Sequence, residues 1–162
     1  MFASKNSFLT SGTTSYTYWR WNITGARGPT TMIQVSEFRF QKGGVTDAMT
    51  GVTVTNPGGS NPGGEGIANL SDNNTSNKWL DFNFSGNNAV PSVGNSTVIW
   101  QFSTAKSFNG YIWYTGNDAT GRDPTTWTIS GSNNGSTYTT LHTVTGATIT
   151  TSRNSLAGTF TF

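Results

Sequence analysis

The chain has 162 residues, with nine Lys and Arg against seven Asp and Glu, and no cysteine. That length suits one domain with a two-layer core, and the missing cysteine excludes disulfides and thiolate metal sites. The formal charge of +2 comes from residues scattered singly, with no Lys/Arg cluster to track a phosphate backbone, which argues against nucleic acid.

Only 10% of residues are charged while 13% are aromatic, so much of the buried area must come from Trp, Phe and Tyr. Thr, Ser, Asn and Gly dominate the rest, a composition for strands and turns and not for helices. No apolar run approaches transmembrane length, and no membrane partner is expected. The start, MFASKNSFLTSG, lacks the charged and then apolar segments of a signal peptide. The expectation is a chain made in the cytosol but composed like an extracellular adhesin or virion protein. Phage structural proteins, released by lysis, reconcile the two.

Residues 1–15 are polar, with isolated Phe2, Phe8 and Leu9, and read as an N-terminal arm; residues 16–162 form the domain. Tyr16 to Thr24 is predicted as a strand with Trp19, Trp21 and Ile23 on one face and Tyr16, Tyr18, Arg20 and Asn22 on the other. Met32 to Phe40 is the next strand. Its apolar positions slip by one across Ser36-Glu37, the mark of a bulge that re-aims Glu37. A short strand at Val52–Val54 precedes the loop Asn56 to Gly66, whose Pro and Gly density breaks regular structure. The polar knot from Asp72 to Asn77 follows, entering a strand at Trp79–Phe84. Further strands are expected at Thr97–Phe102, Gly110–Tyr114 and Thr126–Ser130. Asn134-Gly135 is a hairpin signal, and weaker strands are expected at Ala147–Thr150 and Thr159–Phe162. Ile99, Ile112 and Ile129 are expected in the core with the first strand pair. Short strands at this spacing indicate an all-β, antiparallel β-sandwich.

Three segments carry a resemblance. Asn69 to Trp79 reads Asn-x-x-Asp-x-Asn-x-Ser-x-Lys-Trp; Trp19 to Phe40 holds an aromatic-x-Arg strand, a Gly loop and Ser-Glu-Phe; and a third runs NDATGRDPTTWTISGSNNGSTYTTL. Together they resemble the discoidin, or coagulation-factor type C, family of galactose-binding-like β-sandwiches. In most such domains the aromatic-Arg pair closes the domain, whereas here it comes first, so the chain resembles a circular permutation.

A run of Asp, Asn, Thr and Ser can be no more than a solvated turn, yet its oxygens also suit a hard cation. The resemblance implies a structural calcium ion (Ca2+), with carboxylates from Asp72 and Glu37, backbone oxygens from Asn69 and Asn74, and an oxygen from Asn77. Asn77 stands where the family often has Thr, and Asn73 replaces a frequent Gly.

Catalysis has little to support it: no Gly-x-Ser-x-Gly, HExxH or phosphate loop occurs. The lone His142 alternates along a strand as a structural residue does. Asp118 and Asp123 share a loop as a glycosidase pair could, but Asn, Gly and Pro around them favour turn chemistry. The expectation is a non-enzyme. Sugar binding is better supported, since a pyranose needs an aromatic face beside amide, carboxylate or guanidinium groups. Asn117, Asp118, Arg122 and Asp123 supply the polar set, and Trp79 or Trp127 the ring. The competing reading has Arg122 and Asp123 pin their own loop and both tryptophans lie in the core. The Asn-x-Ser/Thr triplets carry no information in a chain this rich in those residues. The expected function is glycan or cell-surface polysaccharide binding, for host attachment, by an oligomeric virion component among neighbouring virion proteins. A purely architectural virion subunit is the alternative.

Overall fold

The computed structural model of the chain describes residues 14–84 and 95–162. The expected N-terminal arm lies outside them, apart from Thr14 and Ser15.

The described chain is built from antiparallel strands. Strand β1 (Tyr16–Ala26) leads to β2 (Ile33–Val35), β3 (Glu37–Lys42), β4 (Val45–Thr46) and β5 (Val52–Thr55). After a short 3-10 turn at Ile67–Ser71 come β6 (Trp79–Asp81), β7 (Ser96–Lys106) and β8 (Gly110–Tyr114). A second 3-10 turn, Thr120–Arg122, precedes β9 (Pro124–Ser132), β10 (Thr139–Val144) and β11 (Leu156–Thr161). No helix among the described residues is long and apolar enough to cross a membrane.

A five-stranded sheet has the order β10-β9-β1-β7-β5, a four-stranded sheet the order β11-β8-β3-β4, and β2 pairs with β6. The two larger sheets face each other through rings. From the first, Trp21 meets Phe38 at 4.9 Å between centroids, and Trp100 stacks on Phe38 at 4.6 Å. Trp19 packs on Phe40 at 5.1 Å. All six tryptophans are fully buried. Each such pair adds about 0.5–1.5 kcal/mol beyond the area it buries, which is how a chain poor in aliphatic residues builds its core.

β1 is the middle strand of its sheet, paired with β9 on one side and β7 on the other, so the N-terminal strand is central and not an appendage. The expected inward face of Trp19, Trp21 and Ile23 is buried. Tyr16 is buried too, against expectation, because the register with β7 shifts between Tyr16 and Tyr18 and turns its ring inward.

Several expectations need correction. The slip at Ser36 is not a bulge in one strand: there the chain leaves β2, paired with β6, and joins β3, paired with β8. Ile99 and Ile112 are only half-buried, since Val98, Trp100 and Phe102 of β7 and Tyr111 and Trp113 of β8 point inward instead. Asn134-Gly135 does not form a two-residue turn. It sits within a longer connection from Ser132 to Thr139, in which Asn134 Oδ1 accepts from the Ser136 and Thr137 N–H groups. No strand forms at residues 147–150.

Candidate functional site

At one end of the sandwich three segments converge: β2 with the start of β3, the run from Glu65 to Lys78, and the connection from Thr115 to Asp123. Their focus is Lys78. It precedes the buried Trp79, and its own side chain is only 3% exposed. Its ammonium has three donors and three acceptors around it: Asp118 Oδ2 at 2.9 Å, Gln34 Oε1 at 3.1 Å and Glu65 Oε1 at 3.5 Å. The Gln34 amide in turn donates to the Ala119 carbonyl at 2.9 Å, and Ala119 N–H donates to Asp118 Oδ1 at 2.8 Å. Gly116 lets the loop close on Gln34, since a Cβ there would lie 2.7 Å from that side chain.

Both oxygens of Asp118 are therefore held, yet its side chain is 53% exposed. Burial alone would raise its carboxyl, but the Lys78 hydrogen bond and charge, with Ala119 N–H and Gln34, outweigh this and hold it below the usual value. Arg122 lies 3.9 Å from Asp118 and is partly exposed. Among the described residues the exposed Asn117 side chain has no hydrogen-bond partner. Asn117, Asp118 and Arg122 thus come together with unused hydrogen-bonding capacity.

Asp123 and Trp79, expected beside them, are placed otherwise. Asp123 is fully buried beneath a two-pronged contact from Arg153, at 2.9 and 2.6 Å, and a contact from Arg27 at 3.2 Å. It pins the loop, and its buried oxygens are turned to the two guanidiniums. Trp79 and Trp127 are fully buried, so neither presents a ring to a ligand. Trp127 donates instead to Tyr111 Oη at 2.6 Å, and that hydroxyl lies 2.9 Å from His142 Nδ1. His142 is thereby tied to the core.

The polar knot folds into nested turns over β3. Asn74 N–H donates both to Asp72 Oδ1 at 2.9 Å and to Glu37 Oε2 at 3.1 Å, which places the two carboxylates around one donor. Asn74 presents its N–H to them, where a carbonyl oxygen was expected. Asn77 donates to Asp72 Oδ2 at 2.6 Å, while its buried Oδ1 has no partner. The Asn69 side-chain amide donates to the Gly64 and Lys78 carbonyls, which bears on its side chain and not on the expected backbone oxygen. Burial pushes the Glu37 carboxyl up to about 6 against the pull of Arg39, and the Asp72 charge adds to the rise. Two carboxylates and a free amide oxygen are ligands of the kind calcium takes. No group of three or more His, Cys, Asp or Glu that could hold a metal occurs among the described residues, so ligation would draw on amide and carbonyl oxygens.

An open groove along β5 and β7, lined by Gly51, Thr53, Gln101, Phe102 and Ser103, carries no titratable group. No protein-family model, curated protein or solved structure matches the chain.

Gln34, Glu65, Lys78 and Arg153 escaped the sequence reading. Gln34 left one trace, a polar residue between Ile33 and Val35 in a strand buried throughout; Arg153 left none.

Proposed function

We propose that the chain is a non-catalytic glycan-binding or adhesion module, a discoidin-like sandwich with its closing strand pair moved to the front, acting in a virion appendage or decoration. The observation that carries the reading is the state of Asn117, Asp118 and Arg122: three groups able to meet sugar hydroxyls, on a loop fixed by Lys78 and Gln34, with bonding capacity left over. Preorganised and unsatisfied groups are what is needed to replace the water around a strongly hydrated polyol.

A structural calcium ion belongs to the same reading. Glu37, Asp72 and Asn77 would hold it, and it would fasten the polar knot to β3. Its support is the approach of the two carboxylates and the unpartnered Asn77 Oδ1. Chelator should then lower the unfolding temperature, and Asp72→Ala should abolish that sensitivity.

The test of function is a glycan array and a host-surface adsorption assay with the native chain and with Asn117→Ala and Arg122→Ala. Binding should be lost in both variants, with stability changed by no more than about 0.5 kcal/mol, as for other surface polar changes. Absence of any glycan or cell-surface binding would favour a purely architectural virion subunit.

A further inference from the structure

The proposed site lacks an aromatic face, because both tryptophans considered for it are sealed in the core. A sugar site without an apolar surface beside its polar groups is incomplete.

An apolar surface continues the same backbone. Beyond β8 the chain runs antiparallel to the approach to β11. Thr115 N–H donates to the Ser155 carbonyl at 2.9 Å, Ser155 N–H to Thr115 Oγ1 at 3.1 Å, and Asn154 N–H to the Gly116 carbonyl at 3.3 Å. Arg153 Nη1 reaches the Asp118 carbonyl at 3.3 Å. Extended in the other direction, this ladder places Leu156 directly opposite Tyr114. Residues directly opposite share a face. Tyr111 and Trp113 point into the core, so Tyr114, one residue on, faces outward with Leu156. Leu156 is 46% exposed and Tyr114 half-buried. A lone exposed leucine needs no account. This one stands beside a tyrosine on the ladder that fixes the Asp118 loop.

The charges indicate what would lie there. Lys78 faces Glu65 and Asp118, Arg122 faces Asp118, and Arg27 and Arg153 face Asp123. Counting Arg39, Glu37 and Asp72 beside them, the five cations at this end are matched by five carboxylates among the described residues, so an anionic ligand finds no surplus positive charge. Tyr114 and Asn117 are three residues apart, up to ~10 Å along extended chain, a stretch that one pyranose ring does not cover.

We infer that Tyr114 and Leu156 form the apolar subsite of the Asn117–Asp118–Arg122 site, and that its ligand is a neutral oligosaccharide of at least two sugar units lying along the β8–β11 ladder. This rests on the glycan reading above.

The experiment is titration calorimetry with neutral homo-oligosaccharides of one to four units, and with sulfated and uronic acid counterparts as anionic probes. Affinity should rise at least tenfold from one unit to two or three, and neutral probes should bind more tightly than anionic ones. Leu156→Ala should remove the gain with length while leaving the unfolding temperature unchanged. Tyr114→Phe, which keeps the ring, should retain the gain. If oligosaccharides bind but Leu156→Ala leaves the length dependence intact, or anionic probes bind more tightly, this inference falls and the glycan site stands. If no saccharide binds at all, both fall.

Discussion

Replacing Asp123 by alanine separates a pinned loop from a binding loop. The side chain is fully buried, with both oxygens engaged by Arg153 and one of them also by Arg27. Removing one partner of a buried charge cluster costs about 3–5 kcal/mol, because the remaining charges lose their compensation. Here the guanidiniums are 20% and 26% exposed and keep carbonyl acceptors, Thr151 and Asp118 for Arg153 and Ile149 and Thr150 for Arg27. Water can therefore recover part of the loss, and the lower end, about 3 kcal/mol, is expected. For a domain of this size that is a fall of roughly 6–12 °C in unfolding temperature. Asp123→Asn should cost nearly as much, since its NH2 group would face two donors. Equilibrium denaturation, with the slope against denaturant unchanged, measures both. A loss below about 1 kcal/mol for Asp123→Ala would refute the pinning role and return Asp123 to the candidates for ligand contact.

Three further outcomes are expected. Burial holds His142 below its ordinary value of 6.5, so the fold favours the neutral ring. That contribution is complete above about 6.5 and is lost as pH falls through it, while Glu37, pushed up to about 6, acts in the opposite sense below that pH, so the stability difference between the native chain and His142→Gln should shift against the native chain from pH 7.5 toward 5. Gly116→Ala should destabilise by about 1–3 kcal/mol by overpacking against Gln34, read as a thermal shift. A chain lacking residues 1–41 should show no cooperative unfolding, because β7 and β9 lose the strand that joins them; a sharp transition would show that β1 is dispensable.

The strands were legible where one face is buried and the other is not. YTYWRWNIT alternates cleanly, and its inward set follows from period two alone. TVIWQF and GYIWY were not, because consecutive apolar residues leave the parity open. Pairing settles it: β1 sets Trp21 opposite Val98 and Trp19 opposite Trp100 on the core face, which turns Ile99 outward. At Ser36 a one-residue slip is produced equally by a bulge and by a change of sheet, and only the partners, β6 before and β8 after, distinguish them. The approach of Glu37 to Asp72 was foreseen from the resemblance. The Lys78 cluster was not, since a lysine entering a strand looks like any solvated one until Gln34, Glu65 and Asp118 arrive from separate segments.

The polar residues at this end fall into distinct physical states, and only one suits recognition. Asp123 is buried and fully engaged, so any ligand would have to displace two guanidiniums to reach it. Lys78 is buried among Asp118, Gln34 and Glu65, and a ligand could not touch it without breaking the network. Asp118 differs from both, being held at each oxygen and still half exposed. Holding a carboxylate this way lowers the entropy it would lose on meeting a hydroxyl, and leaves lone pairs unused, since a carboxylate can accept about four hydrogen bonds. The network behind Asp118 therefore makes a binding role physically economical at that position and at its neighbours Asn117 and Arg122. It also explains why a buried lysine, costly on its own, sits beneath an exposed loop: its charge is what fixes the loop carboxylate in place.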